Sequence, residues 1–111
     1  MNNTFFISIS IEEAAKKIYD AVVNGSITGE LIDGYEIAGH DKKCIVSVFE
    51  KHYYRAGNRL TLTVTLDDFE DKVRVHYVSG GGGEGLFKFD WGASESFAEI
   101  VPSILEKYKI K

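Results

Sequence analysis

Histidines, carboxylates and a thiol are the groups from which a hydrolytic or metal centre is built, and here they are His40, His52, His76, Asp33, Glu50 and Cys44. Glu50 and His52 are two residues apart, so on an extended strand they project from one face. A neighbouring strand bringing His76 beside them would make a general acid–base trio of the kind a small hydrolase uses. The spacing argues against metal, because no HxH, HExxH or CxxC pattern accompanies these residues. Polar side chains on a wet sheet face account for them equally well. Ser47, Ser79 and Cys44 lack the strand-to-helix elbow that activates a nucleophile, and Cys44, at the start of an apolar strand, reads as a small core hydrophobe. No cofactor is expected.

Two further segments could hold a ligand. The run Gly80 to Gly85, interrupted only by Glu84, exposes successive backbone amides that can cradle an anion. It lacks the Lys-Ser/Thr of a phosphate loop, it falls between two expected strands, and Glu84 repels anions, so a hairpin loop or bulge is the competing reading. A turn alone needs fewer glycines, each of which loses entropy on ordering. The segment Asp90-Trp-Gly-Ala-Ser94 follows the last expected strand and opens the last helix, where free amides attract a carboxylate or phosphate. The candidate ligand residues are therefore Gly81, Gly82, Gly83, Glu84, Gly85, Trp91, Gly92 and Ser94. Trp91 as core filler and Ser94 as helix cap explain the second segment without a ligand.

These residues must be held by a single domain. The chain has 111 residues, 44% of them hydrophobic, which is enough for one packed core. Thirteen Lys and Arg against 17 Asp and Glu give a net charge of −4, which offers no long-range attraction to nucleic acid or anionic lipid. No apolar run approaches the roughly 20 residues that cross a bilayer. Met1 to Ile11 has neither a basic start nor a cleavage site, so it is not read as a secretory signal. With a single cysteine, a reducing, cytoplasmic location is expected. Fourteen aromatic residues supply large buried areas.

Thr4 to Ile9 is rich in β-branched and aromatic residues and reads as a first strand. Ser10 and Glu13 then form a capping-box pattern. Ile11, Ala14, Ala15, Ile18 and Val22 recur at the helical period, and Asn24-Gly25 is expected to end the helix with a left-handed glycine. Ser26 to His40 is expected to hold a helical turn and a short strand. Lys43 to Tyr54 forms a long strand with apolar residues on both faces. After a turn at Arg55 to Asn58, Arg59 to Asp67 alternates Leu60, Leu62, Val64 and Leu66 with Thr61, Thr63 and Thr65, and Val73, Val75 and Tyr77 continue the meander. Leu86 to Trp91 is expected as the last strand. A final helix from Ser94 carries Phe97, Val101 and Leu105, with a kink or break at Pro102.

The order predicts an α+β fold: one antiparallel sheet of about five strands, with an N-terminal and a C-terminal helix on one face. The opposite face, with Thr61, Thr63, Thr65, Arg74, His76 and Lys88, would be flat and polar. Tyr53, Tyr54 and Arg55 beside it are residue types favoured at binding hot spots.

Phe49-Glu-Lys-His-Tyr-Tyr-Arg, Asn58-Arg-Leu-Thr-Leu-Thr-Val, the glycine run and Phe87-Lys-Phe-Asp-Trp-Gly-Ala-Ser together resemble a small bacterial domain family of unknown function. That resemblance implies a bacterial, stand-alone domain and transfers no catalytic residue. The layout is similar to the helix-grip proteins of the START and polyketide-cyclase-like superfamily, which implies a sheet curled round the last helix and makes Tyr77, Trp91 and Phe97 candidates to line an apolar site. The leading expectation is a non-enzymatic domain that binds a small molecule or a protein partner. A hydrolase using Glu50, His52 and His76, and a homodimer or other oligomeric module burying the Thr-rich face, are the alternatives.

Overall fold

Ser10 starts the first helix, α1 (Ile11–Tyr19), through the capping box its sequence predicts. The Ser10 hydroxyl accepts the Glu13 amide at 3.1 Å, and the Glu13 carboxylate accepts the Ser10 amide at 3.5 Å. Ser10→Ala is expected to lower stability by about 1 kcal/mol in urea unfolding. An unchanged midpoint would show that the box does not hold α1. Ile11, Ala14, Ile18 and Val22 bury the predicted stripe.

The helix stops where expected but by other means. Its last turn widens into a π-helical turn, Asp20–Asn24, and the Gly25 amide donates to the Asp20 carbonyl at 3.0 Å. Gly25 has φ −94°, so the expected left-handed cap is not formed. The wide turn already satisfies that carbonyl, which removes the need for one.

The computed structural model describes residues 3–26, 28–53, 58–81 and 88–110. Five antiparallel strands, β1 (Thr4–Ile7), β2 (Glu30–Ala38), β3 (Lys43–Tyr53), β4 (Asn58–Asp67) and β5 (Val73–Gly81), form one sheet in the order β1-β5-β4-β3-β2. A second helix, α2 (Lys88–Ile104), and a short 3₁₀ turn, Glu106–Tyr108, complete an α+β fold. The expected turn at 55–57 lies outside the described residues.

The cleanest alternation in the sequence makes the centre of the core. Leu60, Leu62, Val64 and Leu66 of β4 are buried beside Phe49 of β3 and Val75 and Tyr77 of β5. Ile11, Ala14 and Ile18 of α1 and Phe97 and Val101 of α2 join the same cluster, as does Leu105 just beyond it. Each of the buried leucine, isoleucine, valine and phenylalanine side chains gains about 1.5–3 kcal/mol from leaving water. On the other parity, Thr61, Thr63 and Thr65 stay partly exposed.

Three further expectations change. The stretch after Gly25 contains a full nine-residue strand, β2, rather than a short one. A bulge between Leu31 and Asp33 slips its register, so Leu31 faces one side and Asp33, Tyr35 and Ile37 the other, and the period-two signal is broken. Of the expected last strand, Leu86 to Trp91, residues 88–91 form the start of α2 and the rest lies outside the described residues. β5 already has β4 on one side and β1 on the other, so a strand following it has no adjacent edge to join. Ser94 therefore lies inside α2 rather than at its cap, and Lys88 belongs to the helix rather than to the polar sheet face. Finally, α2 runs through Pro102 and ends two residues later at Ile104, so the expected break at Pro102 does not occur. So close to the helix end, proline forfeits one amide bond and the helix simply stops.

After the 3₁₀ turn the chain folds back on β1. The Ser8 amide donates to the Tyr108 carbonyl and the Ile110 amide to the Phe6 carbonyl, each at 2.9 Å, with Ile7 and Lys109 forming an antiparallel bridge. The β1 edge of the sheet is thereby closed by the chain's own end. β2 forms the other edge.

Candidate functional site: the sheet surface opposite the core

Strand register places every side chain of the second face. Across the sheet run the rows Ile37, Cys44, Asp67, Arg74 and Phe6; Tyr35, Val46, Thr65, His76 and Thr4; Asp33, Val48, Thr63 and Val78; Glu30, Glu50, Thr61 and Gly80; and His52 and Arg59. Tyr35 is 60% exposed, Val78 49% and Ile37 48%. The middle of this face is thus largely β-branched and aromatic, half-buried at Val46, Val48, Thr63 and Thr65, with Asp33 and His76 beside them.

At one end, Asp67 is only 7% exposed. Its two oxygens accept Nε and Nη2 of Arg74 at 3.0 Å each, a bidentate fork, and one also accepts the Phe69 amide at 3.1 Å. Arg74 also pairs with Glu70, and the two carboxylates raise the guanidinium pKa further above its ordinary range. The acid therefore pins the β4–β5 turn, with its ligands already supplied. Cys44, opposite Asp67, has its thiol pKa raised by burial first and by the Asp67 carboxylate second. Thiolate is the reactive form, so iodoacetamide at pH 8 is expected to modify native Cys44 at least about tenfold more slowly than the denatured chain. Equal rates followed by mass spectrometry would contradict that placement.

At the other end, Glu50 pairs with Arg59 at 2.9 Å. Glu50 and His52 share the face, as predicted, and Thr28 donates its hydroxyl to the His52 carbonyl at 2.9 Å. His76 lies on the same face but elsewhere. It is opposite Thr65, whereas Glu50 is opposite Thr61. Four residues along β4 and two strands across separate them by roughly 13 Å and 10 Å respectively. The structure does not bring the trio together, and the His76 ring hydrogen-bonds Thr4 at 2.7 Å. His40 is exposed in the β2–β3 turn and Asp33 lies on β2. Among the described residues, no three His, Cys, Asp or Glu side chains gather as a metal site.

On the helix side, Lys43 clamps α1 to the sheet edge by pairing with Glu12 and standing 3.6 Å from Glu36. The Lys43 ammonium holds the Glu12 carboxyl below its ordinary range. Tyr77 packs edge-on against Phe5, with centroids 6.2 Å apart, and burial raises its phenol pKa.

The expected ligand segment is only partly in view. Gly81 ends β5 with φ +90°, and a side-chain carbon there would come within 2.7 Å of the Arg59 carbonyl, so only glycine fits. Gly82, Gly83, Glu84 and Gly85 lie outside the described residues, as do Tyr54 and Arg55. Trp91, Gly92 and Ser94 belong to α2. The glycine run therefore stands in the chain between a strand and a helix, not between two strands. The residues that sequence reasoning missed are Tyr35 and Ile37. Their signal was the triplet Asp33, Tyr35, Ile37 at period two, obscured by the extra residue at Ile32.

Among the described residues no helix is long and apolar enough to cross a membrane. Neither the curated proteins nor the solved structures contain a match to this chain. A match to the sequence pattern described as "Family of unknown function (DUF6054)" extends over residues 2–109, nearly the whole sheet-and-helix unit, and the chain belongs to that family.

Proposed function

We propose that this domain is a non-enzymatic binding module whose partner is a protein, contacted by the sheet surface opposite the core. The observation that carries this reading is the exposure of Tyr35, Ile37 and Val78 around the half-buried Val46, Val48, Thr63 and Thr65. Stiff, β-branched side chains lose little rotamer freedom when covered, and an aromatic among them is a favoured anchor. Asp67–Arg74 and Glu50–Arg59 engage most of the charge at the ends of the face internally, which favours the centre for contact.

The separation of Glu50 from His76 weighs against a hydrolase. The single cysteine supports a reducing, cytoplasmic setting, and the earlier resemblance supports a bacterial one. A helix following the last strand of an open sheet supports a helix-grip-like layering, with α1 and α2 over the Leu60 face. The test is photo-crosslinking in cells from a reactive residue placed at Tyr35 or Val78, with Ser103 on α2 as control. Protein adducts from 35 and 78 but not 103 are expected. Adducts from 103 alone, or from none of the three, would overturn the reading.

A small-ligand site at Gly81, Gly82, Gly83, Glu84, Gly85, Trp91, Gly92 and Ser94 is the second reading. It is favoured by one observation, the place of the glycine run between a strand and a helix, the chain order in which backbone amides serve anions. Native mass spectrometry of the purified protein tests it. A retained small molecule that Gly81→Val abolishes is expected, and a spectrum at the bare chain mass excludes it.

A further inference from the structure

We infer that the free edge of β2 accepts an extended segment of another protein that carries lysine or arginine together with apolar residues. This rests on the partner-binding reading above and names where and what the partner is. All nine residues of β2 are exposed, and they include Leu31, Ile32, Tyr35 and Ile37. Among the described residues only β3 lies beside the strand, so its outward N–H and C=O groups form a ready template for strand addition. The edge carries no proline and no lysine; what guards it is the bulge at Ile32 and its three acids, and a basic strand is the partner that the acids do not repel.

Charge decides the occupant. β2 carries Glu30, Asp33 and Glu36 and no cation of its own, with Lys43 of β3 standing 3.6 Å from Glu36. Glu30 stands directly opposite Glu50, a like-charge pair that destabilises a ladder until a cation joins it, and Arg59 serves Glu50. An added strand would face Glu30 and Asp33 on one side, followed by Tyr35 and Ile37, and Leu31 and Glu36 on the other. Lysine or arginine suits the acids, and apolar residues suit Tyr35, Ile37 and Leu31. The other edge shows strand addition within the chain: Tyr108 to Ile110 bonds back to β1, with Lys109 opposite Ile7. A second copy docked β2 to β2 would place six carboxylates on one seam without a cation from either strand, so the partner is a basic segment and not this strand's own twin.

The test is an NMR titration of the ¹⁵N-labelled full chain with a capped nonapeptide that alternates lysine with valine and threonine, and with its glutamate counterpart. The cationic peptide is expected to shift the amides of Glu30–Ala38, to bind roughly tenfold more weakly in high salt, and to outbind the anionic peptide at least about tenfold. The triple variant E30K/D33K/E36K, whose own spectrum reports whether it is folded, is expected to lose the response. Equal binding of the two peptides, shifts confined to other strands, no shift near 1 mM peptide, or sedimentation showing a dimer that the triple variant abolishes would each overturn the inference. If Val78 gives crosslinked adducts in cells while the peptides fail, only the β2 assignment falls. Failure of both overturns the binding reading itself.

Discussion

Phe97→Ala is expected to lower the free energy of unfolding by about 3–5 kcal/mol, a large share of the roughly 5–15 kcal/mol that holds a domain of this size. Phe97 is almost fully buried in the cluster where α2 meets β4 and β5, so truncation leaves a cavity in the middle of the layer rather than at a rim that could collapse. Its ring also lies 5.9 Å from the Lys51 ammonium, whose strand position faces the helices. Loss of the ring removes a face on which that cation rests. Phe97→Leu refills most of the space and is expected to recover more than half of the loss. Guanidinium unfolding followed by far-UV circular dichroism checks both. A cost below about 1 kcal/mol for the alanine variant would mean that α2 does not pack as described.

The second large effect comes from a backbone contact. A side-chain carbon at Gly29 would lie 2.1 Å from the Val22 carbonyl oxygen, well inside contact distance. There the chain leaves the π-helical turn and passes over it on the way to β2, so the obstacle is main chain and cannot rotate aside. Gly29→Ala is expected to cost about 3 kcal/mol, at the upper end for overpacking, and to loosen β2 first. Gly39, in the β2–β3 turn, has nothing within 4 Å of the equivalent position. Gly39→Ala is therefore expected to be neutral or to stabilise by up to about 1 kcal/mol through the unfolded chain. Measured midpoints in which the two substitutions cost the same would contradict the close approach at Gly29. Faster hydrogen exchange across Glu30–Ala38 in Gly29→Ala alone would locate the damage.

Where local chemistry and tertiary context agreed, the reading of the residues was sound. Ser10 with Glu13 states a helix start in four residues, because the bonds that cap a helix are made within that span. Leu60 to Leu66 declares a half-buried strand, because side chains two apart share a face. Agreement failed where a segment had two consistent local readings. Phe89 and Trp91 satisfy strand alternation, yet they fall in α2, since the sheet position next to β5 is taken by β1 from the other end of the chain. Gly34 and the bulge at Ile32 hid β2 in the same way, because a one-residue slip exchanges the faces of everything beyond it.

The candidate site was less legible than the fold. Glu50, His52 and His76 do share a face, which parity along each strand makes readable, but the register that keeps Glu50 and His76 apart is set by the pairing of β3, β4 and β5. Nothing within a strand encodes the stagger of its neighbours.

From its residues alone, then, this chain determines an α+β domain of about five antiparallel strands, the greasy parity of β4 and β5, and the first helix with its cap, because these depend on contacts between residues close in sequence. The tertiary structure decides which strand is left at an edge, that Tyr108 to Ile110 closes β1 while acidic β2 stays open, and which side chains meet on the second face. Those outcomes arise from pairings between segments as far apart as Ile7 and Lys109. Such pairings compete globally for a limited number of sheet edges, and no local pattern records which segment wins.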